Sequence, residues 1–381
     1  MNIVINISPV SKYSSFEQTN FAFDYILDLV TIHQDHCFFF ISDGCANLFL
    51  NSSNSSVIAT TPKKGNIVFW KIWYAYKLPA ILKKYKADVF INLDSICSLK
   101  THIPQCLLLP DISFAQHLSL FKKNIPATFN KAAMIITFSE FAKNTICKEY
   151  YKTQPEKVEV IYTAANEKFL PVDWEEKEKT KEKYTEGKEY FLFTGEINNE
   201  NNLINILKAF SFFKKRQKSN MQLIIASKKI TKNNAFTKSL KTYKYRNEVK
   251  IVTSFKKEEL VTITAAAYAF VYAVKQAGFY TPVLEAMQSG VPVIASNAVV
   301  MTEICGAAAL FADPAIFENI ADKMMLLFKD ENKRNELISL GKKQAAQFSM
   351  TSTNKLFWQK IVKCANMPVK NTITNTLSLP T

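Results

Sequence analysis

The residues with the clearest chemical potential follow a short apolar run, Ala269 to Val274, which is typical of a buried parallel strand. The run leads into a turn that contains Gly278. Thr281 is a favourable N-cap and Pro282 a favourable first helical residue, so a helix is predicted to begin there. Because the free N–H groups and the dipole of a helix start attract anions, this turn predicts a phosphate site.

Glu285 lies one helical turn further on. A carboxylate there would not favour a phosphate, but it would accept hydrogen bonds from ribose hydroxyls, as an acidic residue does in dinucleotide folds. The helix is predicted to end near Ser289 because Gly290 follows, and residues 291–295 read as the next buried strand. The alternative is an ordinary βαβ unit with a solvated glutamate.

The run from Gly278 to Ser296 (Gly-Phe-x-x-Pro-Val-Leu-Glu-Ala-Met-x-x-Gly-Val-Pro-Val-Ile-Ala-Ser) resembles the C-terminal signature of the GT-B retaining glycosyltransferases of family 4, the glycosyl transferases group 1. Residues 301–303 and 307–314 are similar to the next segments of that family. The resemblance implies that backbone amides of the turn hold a donor diphosphate and that the second motif glutamate holds the ribose. The donor-binding residues implied are Gly278, Phe279, Tyr280, Thr281, Pro282, Val283 and Glu285.

The motif departs from the family at two positions. Ala277 stands where the first glutamate is usual, and Tyr280 stands where the family has a second glycine. A tyrosine places a large ring where glycine allows the backbone to approach a ligand closely. The donor site is therefore expected to be altered on this side.

A second family pattern, Gly-x-x-x-x-Arg-Lys-Asn-Leu, aligns with residues 195–203, which begin at donor-binding Gly195. The arginine and lysine that clamp the diphosphate in the family are replaced by Glu200 and Asn201, and Glu196 follows the glycine. Carboxylates beside a diphosphate would repel it. Lys228 and Lys229, which follow the next strand, are the predicted source of the missing positive charge, unless they are an ordinary exposed pair.

The N-terminal half offers two candidate catalytic residues. Leu109-Pro110-Asp111 ends a strand where the family often has His-Asp facing the donor sugar, so Asp111 is expected to orient that sugar. His117 is a nearby imidazole, and the alternative for this lone histidine is a structural role. Ser139 precedes a helical segment and is predicted to be its N-cap.

Residues 63–86 carry a run of lysines interleaved with aromatic residues. The run itself contains no acidic residue, and the next one along the chain is Asp88. One interpretation is peripheral contact with an anionic membrane. The other is a helix that packs its aromatic side chains on the sheet and leaves its lysines in water. The net charge of +15 fits either an anionic partner surface or a solvated lysine-rich surface.

Strands alternate with helices twice along the 381 residues, which predicts an α/β protein of two doubly wound Rossmann-like domains facing each other across a cleft, as in GT-B. The expected domains are residues 1–170 with a returning helix at 350–366, residues 171–349, and a flexible tail at 367–381. The seven cysteines are expected to be reduced core residues. With no signal peptide or spanning segment evident, a cytoplasmic location is expected, and the alternative is peripheral association at the inner face of the membrane.

The resemblance implies transfer of a hexose from a nucleotide-diphospho-sugar to a hydroxyl of a saccharide or lipid-linked acceptor, with retention, in cell-surface polysaccharide or glycolipid synthesis. It implies no cofactor and no metal, and no motif indicates nucleic acid as a partner. The substituted donor-site positions leave one alternative, a degenerate, non-catalytic partner protein.

Overall fold

The structure, a computed structural model, describes most of the chain: residues 1–7, 25–42, 52–59, 67–93, 96–109, 125–150, 154–231, 235–275 and 280–368. The chain divides into two compact units. Unit 1 comprises residues 1–162 and 351–381, and unit 2 comprises residues 163–350. The first division falls a few residues before the predicted boundary at 170/171.

Unit 1 is built on a seven-stranded parallel sheet in the order β3-β2-β1-β4-β5-β6-β7. Its seven strands are mainly apolar, and the four at the centre of the sheet are almost entirely buried, as expected for strands covered on both faces, whereas the two edge strands are partly exposed. The seven are β1 (Asn2–Asn6), β2 (Cys37–Ser42), β3 (Ser55–Ala59), β4 (Val89–Asn92), β5 (Gln105–Leu108), β6 (Met134–Thr137) and β7 (Val158–Val160).

The helices of unit 1 lie between these strands, and residues 25–32 are helical as well. They are α1 (Ile67–Ile72), α2 (Leu78–Lys84), α3 (Ile125–Lys131) and α4 (Glu140–Glu149). A π-helical turn, Trp73–Lys77, joins α1 and α2 into one continuous segment. Ser139 is confirmed as the N-cap of α4, because its hydroxyl accepts a hydrogen bond from the Ala142 N–H at 3.1 Å.

Unit 2 has a six-stranded parallel sheet in the order β10-β9-β8-β11-β12-β13. Its six strands include the two predicted at residues 269–274 and 291–295. The six are β8 (Tyr190–Thr194), β9 (Gln222–Ala226), β10 (Val249–Val252), β11 (Ala269–Tyr272), β12 (Val293–Ser296) and β13 (Ala309–Ala312). The helices are α5 (Trp174–Thr185), α6 (Leu203–Gln217), α7 (Ala235–Lys241), α8 (Lys257–Ala265), α9 (Thr281–Gln288), α10 (Val299–Cys305), α11 (Phe317–Lys329) and α12 (Glu331–Ala345).

The last helix, α13 (Met350–Ala365), packs within unit 1. Its Trp358 ring stacks on the His33 ring with centroids 3.7 Å apart and planes 15° from parallel. The Lys360 and Lys363 ammonium groups lie 2.8 and 2.7 Å from the Glu159 carboxylate. Burial alone would raise the pKa of Glu159, but the hydrogen bonds from the two lysines lower it on balance. An aromatic stack and an ion-pair cluster therefore hold α13 against the rest of unit 1.

The stack predicts a pH dependence of stability. Burial and the neighbouring His36 lower the pKa of His33, and Asp35 only partly opposes them. In the unfolded chain this histidine binds a proton near pH 6.5, whereas in the folded protein it does so only at lower pH. The free energy of unfolding is therefore highest above pH 6.5 and falls as the pH drops below it. We expect the free energy of unfolding to fall less between pH 7 and 5 in His33→Phe, which keeps a ring but cannot titrate. Urea denaturation across this range measures the slope, and equal slopes in both proteins would contradict the assignment.

The cysteine prediction is partly wrong. Six cysteines are described as free, and Cys97, Cys106, Cys305 and Cys364 among them are buried as expected, but Cys37 at the start of β2 is exposed. Its side chain faces away from the core because β2 alternates in burial over its first residues. Among the described residues, no helix is long and apolar enough to cross a bilayer.

Candidate active site

The strand order of unit 2 defines a crevice. The sheet grows in opposite directions from β8 and β11, which pair with each other at its centre. In open α/β sheets, ligands bind outside the carboxyl ends of the strands at such a switch point. Those ends are Thr194 on β8 and Tyr272 on β11, and the predicted donor-binding segments follow both of them.

Gly195 opens the loop after β8 with a φ of +141°, a conformation that side-chain-bearing residues rarely adopt. A Cβ at this position would lie 3.2 Å from the ring of Phe193. Glycine is thus required for the chain to leave the strand in this direction. The Gly195 N–H donates to the Ala226 carbonyl at 3.2 Å, which keeps the loop next to the end of β9.

Glu196 and Lys229 form an ion pair beside this turn. The Lys229 ammonium lies 2.8 Å from the Glu196 carboxylate, whose side chain is 10% exposed while that of the lysine is 54% exposed. Lys228 is exposed, with its ammonium 5.3 Å from the centroid of the Phe255 ring. The two lysines predicted to supply positive charge therefore differ, because the charge of Lys229 is already engaged by a carboxylate of the same loop.

A double-mutant cycle tests this pair. Lys229→Met leaves the mostly buried Glu196 carboxylate without its partner, whereas the same change in a Glu196→Gln background leaves only a neutral amide. We expect a coupling free energy of about 1 kcal/mol, because one partner is half exposed and solvent screens the interaction. Urea denaturation of the four proteins measures it. Strictly additive effects would show that the pair does not act as a unit.

Hydrogen bonds within the loop hold residues 196–201 in one conformation. The Asn198 side-chain oxygen accepts from the N–H groups of Glu200 and Asn201 at 3.0 and 2.9 Å. The Asn201 side chain in turn donates to the Glu196 carbonyl at 2.7 Å. Asn201, which stands where the family has a basic residue, serves here to close the loop. Glu200 is exposed at its tip.

Asn202 ties the two sides of the crevice together. It is 5% exposed and sits in the left-handed region with a φ of 56°. Its amide group donates to the Ala273 carbonyl, just past β11, at 2.8 Å and to the Pro314 carbonyl at 2.7 Å. Sequence reasoning aligned this asparagine with the family pattern but gave it no role. The available signal was an asparagine, which tolerates left-handed backbone, directly before a helix.

The start of α9 differs from the prediction by one residue. Tyr280 is the N-cap and Thr281 the first helical residue, so the assignment of Thr281 as the cap is wrong. The Thr281 hydroxyl instead lies 3.3 Å from the hydroxyl of Thr163. Pro282 has no N–H, and the N–H of Val283 already donates to the Tyr280 carbonyl at 2.9 Å. An anion at this helix start would thus depend on amides that precede Pro282.

Tyr280 is buried, with 1% of its surface exposed. Its hydroxyl accepts a hydrogen bond from the Thr163 N–H at 3.1 Å. Further along α9, the Gln288 side chain donates to the Asn166 carbonyl at 3.1 Å. The ring that replaces the family glycine is therefore packed away, and it joins the helix start to the first residues of unit 2.

Glu285 is half-buried, as are Pro282 and Gln288, whereas the five other residues of α9 are buried. The three half-buried residues recur at intervals of three, so they share the open face of the helix. At the other end, Gly290 with a φ of +74° terminates the helix as predicted. The placement of Glu285 on the open face leaves it accessible for the ribose contact that the resemblance implies.

Four predicted site residues lie outside the described residues: Asp111, His117, Gly278 and Phe279. Ala277 lies outside them too. Their roles stay predictions. In the part of the chain that is described, no three His, Cys, Asp or Glu side chains are grouped to hold a metal ion. Whether the activity needs a metal is a separate question, and independence from metal stays a prediction.

Residues 174–344 match the family Glycosyl transferases group 1. This region runs from the start of α5 almost to the end of α12, and it contains the whole of the crevice just described. The chain carries a glycosyl transferases group 1 domain. The resemblance to the glycosyl transferases group 1 is thereby confirmed, and the loop after β8 and helix α9 are parts of that domain.

Two curated relatives are bacterial mannosyltransferases. The chain is 24% identical over 241 residues to O-antigen chain mannosyltransferase B of Escherichia coli, and the match covers 63% of each protein. It is 27% identical over 254 residues to O-antigen chain mannosyltransferase RfbU of Salmonella typhimurium, covering 64% of this chain and 67% of that protein. The match therefore spans less than two thirds of the length of the first relative and about two thirds of the length of the second.

Solved glycosyltransferase structures share the fold. A glycosyltransferase from Rickettsia africae superposes with a TM-score of 0.77 at 16% identity, covering 96% of this chain and 98% of that one. WaaG, a glycosyltransferase involved in lipopolysaccharide biosynthesis, superposes with a TM-score of 0.74 at 13% identity, covering 95% and 99%. At these identities the likeness shows the fold alone, and the fold is GT-B, with two Rossmann-like domains.

Proposed function

We propose that this protein transfers a hexose from a nucleotide-diphospho-sugar to a hydroxyl of a saccharide or lipid-linked acceptor during synthesis of a cell-surface polysaccharide. The observation that carries the proposal is the match of residues 174–344 to the family, because that region includes the entire unit 2 crevice. The names of the two relatives, both O-antigen chain mannosyltransferases, favour mannose as the hexose.

The donor would lie at the carboxyl ends of β8 and β11. Its diphosphate would meet the amides of residues 278–281, since the Val283 and Leu284 N–H groups already donate to the Tyr280 carbonyl. Exposed Lys228 would supply positive charge nearby, and Glu285 on the open face of α9 would accept hydrogen bonds from the ribose. In this arrangement backbone amides, with Lys228, would take the place of the family's pair of basic side chains.

Catalysis would consist mainly of stabilising the charge that develops on the departing diphosphate. Backbone amides that precede α9 and the Lys228 ammonium would suit that task because they bring partial or full positive charge to the leaving group. Asp111 is assigned, from the resemblance, to the orientation of the donor sugar. Retention of the anomeric configuration belongs to the same proposal, and NMR of the product's anomeric proton and carbon distinguishes it from inversion.

The non-catalytic alternative loses its main physical argument. That argument was repulsion between a diphosphate and the carboxylates of the loop after β8. The Glu196 carboxylate is neutralised by Lys229 at 2.8 Å, and Glu200 is exposed at the tip, where water screens it. The carboxylates of this loop would therefore repel a diphosphate less than the sequence alone predicts. The cytoplasmic location expected from the sequence stays a prediction.

Calorimetric titration of the full chain with UDP, GDP and their hexose conjugates tests the proposal first. Saturable binding of one nucleotide, followed by transfer from its hexose conjugate to a saccharide acceptor, is the expected result. GDP-mannose is the first conjugate to test. A folded protein that binds none of these nucleotides would overturn the proposal in favour of the non-catalytic alternative.

A further inference from the structure

The segment formed by α1, the π-helical turn and α2, residues 67–84, is called the basic helix below. One of its faces packs on the sheet of unit 1 and contacts core residues such as Val4 and Phe90. The residues of this buried face are Trp70, Trp73, Tyr74, Leu78, Ile81 and Leu82. The packing interpretation of the sequence is thus correct for these side chains, and they are unavailable to any partner.

The opposite face is also apolar. Val68, Phe69, Ile72 and Tyr76 are 62%, 58%, 52% and 72% exposed. Val68, Ile72 and Tyr76 follow one another at intervals of four and lie along one side of the helix, with Phe69 beside Val68 and Ile72. Large apolar side chains that are exposed singly need no explanation, but four within nine residues form a patch that indicates a binding surface.

The same segment is strongly basic. The basic helix and the three residues after it, up to residue 87, contain five lysines and no acidic residue. The five are exposed, and within the described part of the chain none of them is ion-paired. They are Lys71, Lys77, Lys83, Lys84 and Lys86. The nearest carboxylate along the chain, that of Asp88, accepts a hydrogen bond from the Asn2 N–H at 2.7 Å.

We propose that the exposed face of the basic helix binds the surface of a bilayer that contains anionic phospholipid. Exposed apolar side chains on a helix, flanked by unpaired lysines, match what the headgroup region of such a bilayer offers: an apolar layer below and negative charge above. A nucleic acid would match the lysines but leave Ile72 and Tyr76 in water. An apolar protein groove would match those two side chains but leave the lysines without counter-charge.

Co-sedimentation of the full chain with phosphatidylcholine vesicles, with and without phosphatidylglycerol, tests the proposal. We expect binding to the anionic vesicles, weakened by salt, and little binding to the neutral ones. Two variants separate the contributions: Val68→Ser with Ile72→Ser and Tyr76→Ser, and Lys71→Gln with Lys77→Gln. Each should weaken binding to anionic vesicles by about tenfold or more.

Matched controls carry the same kinds of change on exposed residues of unit 2: Val299→Ser with Ile316→Ser, and Lys215→Gln with Lys343→Gln. These should bind vesicles like the unchanged protein. Nucleotide titration of all variants should give unaltered affinity, which shows that they are folded and keeps this test independent of the proposed transferase activity. Circular dichroism gives the same check of folding if the chain binds no nucleotide.

Three outcomes would overturn the proposal. The unchanged chain could fail to sediment with anionic vesicles, or the variants of the basic helix could bind these vesicles as well as the controls do. The third outcome is that only the lysine variant loses binding and DNA displaces the vesicles. The surface would then be a general polyanion surface in which the exposed apolar side chains have no part.

Discussion

Asn202→Asp should lower the free energy of unfolding by about 3–5 kcal/mol at neutral pH. The change keeps the shape of the side chain but replaces its amide donor with a carboxylate. The amide group donates to the carbonyls of Ala273 and Pro314 at 2.8 and 2.7 Å, and the residue is 5% exposed. A carboxylate there would face two carbonyl oxygens with little water to screen the repulsion. Chemical denaturation of the full chain measures the loss.

The pH dependence of that loss separates charge from shape. The new carboxyl should have a pKa raised above its unfolded value of about 3.9, because the charged form is disfavoured in the folded state. A raised pKa means that the destabilisation is complete at neutral pH and shrinks as the pH falls toward 4, where the protonated group can again donate. Asn202→Ala should instead cost about 1–3 kcal/mol, with no such dependence.

Asn205→Asp provides the matched control. Asn205 also donates to the Pro314 carbonyl, at 2.8 Å, but it is only half-buried. Its aspartate variant should therefore lose much less stability than Asn202→Asp. Equal losses at the two positions would mean that the link across the crevice is not what makes Asn202 important.

The sequence predicted the sheets well because their strands are short, mainly apolar segments separated by polar ones. The end of α9 was also predictable, since Gly290 has to adopt a positive φ there. The start of α9 was missed by one residue for a reason outside the local sequence. The Thr281 hydroxyl lies against Thr163, more than a hundred residues away, and Tyr280 takes the N-cap position with its ring buried.

The pairing of Glu196 with Lys229 shows a signal that could have been used. In the parallel pairing of β8 with β9, Thr194 lies opposite Ala226. Two residues beyond that point the chain reaches Glu196 on one side and Lys228 on the other, and Lys229 follows one residue later. Once β8 and β9 are taken as neighbours, opposite charges just past both strand ends predict an ion pair. Within its own motif Glu196 has only the diphosphate as an expected neighbour, which is why a repulsive role was predicted for it.

Glu285→Ala should weaken binding of the preferred nucleotide by roughly 30- to 150-fold, which corresponds to about 2–3 kcal/mol. The reason is the loss of a charge-assisted hydrogen bond between the carboxylate and the ribose, in a half-buried position on the open face of α9. Isothermal titration calorimetry measures the change. Glu336→Ala, the same substitution at an exposed position on α12, should leave the affinity unaltered.

The ribose contact can be separated from a general effect on the site by changing the ligand as well as the protein. If Glu285 binds the ribose hydroxyls, the unchanged protein should bind the 2′,3′-dideoxy nucleotide weakly. The Glu285→Ala variant should then bind the dideoxy nucleotide with the same affinity as the unchanged protein does. The two losses then fail to add, because each removes one partner of the same hydrogen bond. If instead the variant loses affinity for the dideoxy nucleotide as well, Glu285 acts by shaping α9, and the ribose must be held elsewhere. This cycle therefore tests the position of the nucleotide along α9 before any acceptor is known.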